Sequence, residues 1–233
     1  MAARLPLEGE RRSLRDIAYA SIRRAIIESR LAPGEFITEE SLSTELGVSR
    51  PVLRESVQRL QVEGLLERAG NGRVRVCGVS TEEVQDLYAV RSALEQLSVE
   101  ETAGKMTPGV IAELHETLGR MRTAASQGSP QKVTESGGDF HAILRRVANN
   151  PVNDQMMHMI GGRIDRYRLL SVSTTARDRN SLSEHERILE ALANGDVAAA
   201  KRAMSEHIMA GRDAVLVAVA NLHAAGKPVE APR

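Results

Sequence analysis

Apolar positions recur along nearly the whole chain at the spacing of helices. From about Leu14 to Ser29, Ile17, Ile22, Ala25 and Ile26 form one stripe, which Leu31-Ala32-Pro33-Gly34 breaks. Thr38 stands where a helix N-cap belongs, ahead of Leu42 and Leu46 on one face. Gly47 supplies the left-handed residue that closes such a helix, and Val48 plugs the corner beneath the turn. Ser49 caps a second helix whose buried stripe is Leu53, Val57, Leu60 and Leu65 or Leu66. The period then changes. Arg73-Val74-Arg75-Val76 alternates like a strand with one wet and one buried face, and the preceding Asn71-Gly72 suits a tight hairpin. Two helices across a short turn, followed by a hairpin, predict a helix-turn-helix with a wing.

From Ser80 onward only helical patterns remain. Ser80-Thr81-Glu82-Glu83 has the form of a capping box, and Val84, Leu87, Val90, Arg91, Leu94, Leu97 and Val99 continue at helical spacing. Pro108 opens a helix with Ile111, Leu114, Leu118 and Met121 on one side, and Gly128-Ser129-Pro130 ends it. Further helices are expected over about 131–147, 151–173, 181–194 and 197–222, parted at Asn149-Asn150-Pro151 and Asn194-Gly195-Asp196. Five or six antiparallel helices with short loops make a bundle, which places ligand sites between facing helices. The predicted fold is mainly α. A flexible tail (1–12) precedes a winged helix-turn-helix (13–78), an all-helical antiparallel bundle (79–222) and a second flexible tail (223–233).

The polar positions of the second helix carry the chemistry. With its stripe buried, Arg50, Arg54 and Arg59 point outward, and a guanidinium can grip guanine bidentately or hold a phosphate in the major groove. Ser49 and Pro51 share that first turn. In the wing, Gly72, Arg73 and Arg75 are placed to lie against phosphates or reach the minor groove. Net charge adds little, because 31 Lys and Arg balance 31 Asp and Glu. Residues 1–78 hold 13 arginines against 11 acidic groups, and the remainder holds 18 basic against 20 acidic groups. DNA binding is therefore inferred from placement rather than from a global positive field. The single cysteine, Cys77, excludes an internal disulfide and suits a reducing cytoplasm. At the end of the wing strand it reads as a small half-buried residue or as a redox sensor. No apolar run approaches the roughly 20 residues of a membrane span.

Three histidines face the bundle interior from separate helices: His141 beside Leu144 and Ala148, His185 beside Ile188, Leu189 and Leu192, and His207 in a strip of small residues including Ala203, Gly211 and Ala214. His115, His158 and His223 show no such grouping. A buried imidazole needs a partner for each nitrogen, and either hydrogen bonds within the core or one shared metal ion meets that need.

The ordered string Ile22-Arg23-Arg24-Ala25-Ile26, Leu31-Ala32-Pro33-Gly34-Glu35, Val48-Ser49-Arg50 and Arg54-Glu55 resembles the GntR family of bacterial transcription regulators. The chain departs from that pattern at Pro51, which follows Arg50 directly while Val52 takes the usual proline place. Residues 86–216 resemble the FCD effector domain of the FadR-type branch through Arg91-Ser92-Ala93-Leu94-Glu95, Phe140-His141, Ala148-Asn149-Asn150, Glu184-His185, Gly195-Asp196 and His207. The resemblance implies His141, His185 and His207 as ligands of a divalent metal such as zinc, with an aspartate four residues before the first. Here that place is Gly137. Asp139 lies about 200° around the helix from His141 and cannot simply replace it. Water or effector can complete a three-histidine zinc site.

The resemblance further implies a cytoplasmic homodimer that acts more often as repressor than activator on a near-palindromic double-stranded operator. Its effector would be a small acidic metabolite, a carboxylate or sugar acid, bound by Arg91 with His141, His185 and His207. Arg91 has a competing role in pairing with Glu95. One or two of Arg163, Arg166 and Arg168 face the same cavity. Two other functions compete. A metal-dependent hydrolase would use the three histidines, but no Glu or Asp stands in an obvious general-base place beside them. An acyl-CoA-responsive regulator of the same architecture would need a long apolar cavity.

Overall fold

The computed structural model describes residues 13–70, 73–171 and 175–224, and the chain divides into two compact units between Cys77 and Gly78. The expected tail at 1–12, the Asn71-Gly72 turn and residues 225–233 lie outside the described residues.

The first unit holds α1 (Leu14–Ile27), β1 (Phe36–Thr38), α2 (Glu39–Leu46), α3 (Arg50–Val62), β2 (Leu66–Ala69) and β3 (Arg73–Val76). Thr38 Oγ1 accepts the Ser41 N–H at 3.1 Å, and Gly47 ends α2 in the left-handed conformation at φ 62°, where a side chain would be strained. Ser49 occupies the N-cap place of α3, yet its hydroxyl makes no capping bond. An N-cap oxygen bonds the N–H of the second or third helical residue, and Pro51, the second, has none. In α1 the buried stripe is Ala18, Tyr19, Ile22, Ala25 and Ile26. Ile17 was expected within it but is 47 % exposed, one residue and about 100° off the stripe. Both Leu65 and Leu66 are buried, together with Leu53, Val57, Leu60, Val74 and Val76.

The wing pairs β2 and β3 antiparallel, Glu67 opposite Arg75 and Arg68 opposite Val74. The sequence pattern missed β1, because three residues are too few to show alternation. It adds to the free edge of β3, giving the order β1-β3-β2 with Ile37 opposite Val74.

The second unit is a bundle of α4 (Thr81–Ala103), α5 (Pro108–Ser126), α6 (Pro130–Ala148), α7 (Pro151–Ser171), α8 (Thr175–Ala193) and α9 (Val197–Ala224). Helix α8 starts six residues earlier than the apolar stripe, since Thr175 to Asn180 is a polar run with no stripe to read, and α9 ends at Ala224 rather than Leu222. The capping box at Ser80 is half formed. Ser80 Oγ accepts the Glu83 N–H at 3.0 Å, but the Tyr167 hydroxyl accepts the Ser80 N–H and donates to Glu83. Asn149 closes α6 in the left-handed conformation, and Pro151 begins α7.

Helix α4 lies at the centre, packed on α6, α7 and α9, while α8 packs on α5, α6 and α9. The inward face of α4 is unusually polar: Arg91, Ser92, Glu95, Ser98 and Thr102 are buried, while Val90 (50 %) and Leu97 (37 %) are exposed. The apolar core of the bundle is built from residues such as Leu114, Met121, Phe140, Leu144, Ile188 and Met204. No helix among the described residues is long and apolar enough to cross a membrane.

Candidate functional site

Helices α6, α8 and α9 bring His141, His185 and His207 together, all buried, with one ring nitrogen from each within 4.8 Å of the others. Each outer nitrogen is oriented. His207 Nδ1 lies 2.7 Å from Glu184 Oε2, and His185 Nδ1 lies 2.7 Å from the Ser181 carbonyl. His141 Nδ1 stands 3.2 Å from Glu95 Oε2, off the line of a good hydrogen bond. All three acceptors favour a proton on Nδ1, which turns each Nε2 lone pair toward the shared space. The Nε2 atoms of His141 and His207 are 3.2 Å apart, and His185 Nε2 has no hydrogen-bond partner. Phe140 braces the group edge-on, with its ring centroid 4.9 Å from that of His185.

Burial holds His141 below the usual histidine range against the pull of Glu95, and His185 falls well below it through burial and the neighbouring imidazoles. Both are neutral near pH 7. Burial alone would raise the Glu95 carboxyl. The opposing pull of His141, Arg91 (Nε at 3.7 Å) and Arg145 (NH1 at 3.8 Å) brings it down to about 2. Three imidazoles that can turn their Nε2 atoms to one shared space are a donor set for a divalent cation. The 3.2 Å Nε2 separation is close to the roughly 3.3 Å that two nitrogens about 2.05 Å from one tetrahedral ion would have.

Beside the cluster lies a cavity of about 60 Å³, lined by Gly137, His185 and His207 along with Arg91, Arg168, Tyr88 and Thr134. That is room for about four waters. Arg91 both approaches Glu95 and lines the cavity, so the pairing with Glu95 does not take it away from the cavity. Of the three arginines of α7, Arg163 pairs with Glu83 and Arg166 donates to the Gly78 carbonyl, while Arg168 lines the cavity and donates to the Thr134 carbonyl at 2.9 Å. Burial and the nearby Arg91 charge lower the Arg168 guanidinium from its ordinary value. A cβ built on Gly137 would stand 3.5 Å from His185 Nε2, in ordinary contact. Asp139 is exposed and pairs with Arg120 at 3.1 Å, away from the cluster.

In the first unit Arg50 and Arg54 are exposed on α3, each paired with an α2 carboxylate: Arg50 with Glu40 at 2.9 Å and Arg54 with Glu39 at 3.1 Å. Ser49 and Pro51 are exposed beside them. Arg59 differs. It bonds Asp16 at 2.9 Å and stacks 3.9 Å over the Tyr19 ring, so it is committed to α1. On the wing, Arg73 is exposed, with its guanidinium 4.9 Å from the Phe36 ring centroid. Arg75 is half-buried and meets Glu67 across the strands at 3.3 Å. Gly72 lies outside the described residues. Cys77 is half-buried at the end of the wing strand.

Residues 14–76 match the family model of bacterial regulatory proteins of the gntR family, and residues 86–210 match that of the FCD domain. The chain belongs to the gntR family, in its branch with an FCD domain. An uncharacterized HTH-type transcriptional regulator in an unstable DNA locus of Streptomyces ambofaciens is 30% identical over 200 residues, spanning 86% of this chain and 84% of its own length. The HTH-type transcriptional repressor RspR of Escherichia coli K12 is 26% identical over 190 residues, 82% of this chain and 83% of that one. Among solved structures, E. coli McbR/YncC shares the fold, with a TM-score of 0.74 at 20% identity over 93% of this chain and 100% of that one.

As a gntR-family member the chain is a DNA-binding, ligand-responsive transcription regulator and not an enzyme. The hydrolase alternative falls, although carboxylates were not expected beside the cluster. Glu95 and Glu184 do stand beside the histidines. They sit at the outer nitrogens, where they orient imidazoles rather than face the cavity. Sequence reasoning missed their part because their partners lie on other helices. The adjacency of Glu184 to His185 in fact misleads, since Glu184 serves His207 across from α8 to α9.

Proposed function

We propose that this regulator is a cytoplasmic homodimeric repressor of a near-palindromic operator, released or retained by a small carboxylate or sugar acid in the bundle. His141, His185 and His207 would hold a divalent metal such as zinc, and Arg91 and Arg168 would hold the acid. The observation that carries this reading is the convergence of three Nε2 lone pairs whose outer nitrogens are oriented by Glu95, Glu184 and Ser181. The bound metal would supply a positive centre for an anionic oxygen. Arg91 and Arg168 supply the complementary charges, and Glu95 and Glu184 keep the imidazoles in the tautomer that offers Nε2. The cavity of about 60 Å³ takes the smallest carboxylates as it stands, would have to widen for a sugar acid, and is far too small for an acyl chain with its coenzyme.

For DNA, Arg50 and Arg54 would read or clamp the major groove with Ser49 and Pro51 beside them, and Arg73 would hold phosphate from the wing. Arg59 and Arg75 have partners within the unit and are assigned supporting roles. Repression is inferred from relatives such as RspR. Dimerisation is favoured by the two-fold symmetry of operators. It is also favoured by exposed Val90 and Leu97 on α4 and Val152 and Met156 on the neighbouring α7.

Thermal melting of the purified chain against a panel of small carboxylates and sugar acids, with zinc present, tests the effector class. A ligand at 100 times its Kd adds about 2.7 kcal/mol of stability. The same compound should change operator affinity in a gel shift. If no small acid does either and acyl-CoA esters do both, the proposed effector class is wrong.

A further inference from the structure

Resting on the reading above that Arg54 contacts bases, we propose that Glu39 is a positioning residue of DNA recognition, which presents Arg54 to the groove with its terminal nitrogens free. Arg54 donates through Nε to Glu39 Oε2 at 3.1 Å. Among the described residues nothing takes a hydrogen bond from its NH1 or NH2. Those two nitrogens can form the fork that meets guanine O6 and N7, so the ion pair and the base contact use different edges of one guanidinium. Glu39 is well anchored. It opens α2 directly after the N-cap Thr38, where a carboxylate suits the positive end of the helix. Two places back, Ile37 is buried and pairs with Val74 in the sheet. The Glu39 side chain is 15 % exposed, whereas that of Arg54 is 62 % exposed. The mobile partner is therefore the arginine, and the pair removes rotamers that Arg54 would otherwise lose on meeting DNA.

The adjacent Glu40 acts in the opposite sense. It accepts from the terminal NH2 of Arg50 at 2.9 Å, and its side chain is 77 % exposed. A base edge must displace that carboxylate from the fork, and its charge repels phosphates without orienting the arginine. Glu39 carries the same charge but gives it to Nε, so its repulsion of phosphate is offset wherever Arg54 finds its base. Glu39 thus favours the selected site over other DNA, and Glu40 opposes all DNA alike.

The test uses the full chain, a duplex that the parent selects from a random pool, and a scrambled duplex of equal length, with affinities read by fluorescence anisotropy at fixed salt. Glu39→Ala should weaken the selected duplex roughly 2- to 13-fold, the cost of ordering one long side chain on binding, and leave the scrambled duplex at parental affinity or tighter. Glu39→Gln keeps an acceptor oxygen for Nε and should keep the discrimination. In an Arg54→Ala background, Glu39→Ala should cost the selected duplex nothing further. Glu40→Gln, the charge control, should tighten both duplexes alike. If Glu39→Ala tightens both as Glu40→Gln does, Glu39 is only a repulsive charge and the proposal is overturned. A lower Tm with equal losses on both duplexes, in either background, overturns it in favour of a role in starting α2. Parental discrimination in Glu39→Ala, with affinity lost in Arg54→Ala, overturns the positioning role while leaving the recognition reading standing. Parental affinity of Arg54→Ala for the selected duplex overturns both.

Discussion

Replacing Arg54 by alanine separates DNA recognition from folding, because the structure gives that side chain little to do within its own unit. Its only described ion pair is with Glu39 at 3.1 Å, and the Arg54 side chain is 62 % exposed. An exposed pair of this kind contributes at most about 0.5–1 kcal/mol to folding. Against an operator, loss of a base-reading guanidinium costs about 1–3 kcal/mol, or roughly 5- to 150-fold in Kd. Arg59→Ala on the same helix should do the reverse. It loses the Asp16 bond and the stack on Tyr19, which tie α3 to α1, and should lower the Tm of the purified chain. Its effect on DNA should be small. Fluorescence anisotropy at fixed salt, on a duplex selected from a random pool, measures the first quantity, and thermal melting measures the second. The assignment of the recognition face is refuted if Arg54→Ala keeps parental affinity while Arg59→Ala loses it.

On the wing, Arg73→Ala should lower the slope of log affinity against log salt by about one unit, whereas Arg75→Ala, whose side chain already meets Glu67, should change it less. Equal slopes for Arg73→Ala and the parent would remove Arg73 from the phosphate contacts. Glu184→Gln should weaken divalent-metal binding about 10- to 100-fold while leaving the helical content intact, measured by calorimetry and circular dichroism, because it removes the charge that orients His207. Acidification of the metal-free protein in a chelator should destabilise the bundle as pH falls below about 6.5. His141 and His185 have folded values below their unfolded ones, so the unfolded chain takes up more protons. Each contributes up to about 1.4 kcal/mol per pH unit until its folded value is passed. The Glu95 contribution is lost only lower, between its unfolded value near 4.5 and its folded value of about 2. Urea denaturation midpoints at pH 7, 6 and 5 read this directly, and a flat profile would mean that the histidines are not buried neutral.

Much of the architecture was local and therefore legible in the chain. Gly47 marks the end of α2 because glycine takes a left-handed residue without strain, and the Arg-Val alternation of 73–76 suits a half-buried strand. Leu53, Val57 and Leu60 fixed which side of α3 is buried and thereby which side carries Arg50 and Arg54. The inward faces of the three histidines followed from the same periodicity. What periodicity could not determine was everything set by partners distant in sequence. Pro51 silenced the Ser49 cap, but the commitment of Arg59 to α1 needed Asp16 and Tyr19, 43 and 40 residues away. Likewise α4 turns Arg91, Glu95 and Ser98 inward and leaves Val90 and Leu97 outside, which no apolar stripe announces. A buried polar face is stable only where other helices bring opposite charges and hydrogen-bond partners to it, and those arrive from α6, α7 and α9. The sequence alone determined the elements and the donor types, since these depend on dihedral preference and on which side chains are apolar. Tertiary packing decided which carboxylate orients which imidazole and that Arg168, rather than Arg163 or Arg166, faces the cavity, because those outcomes depend on distances between helices that no single helix encodes.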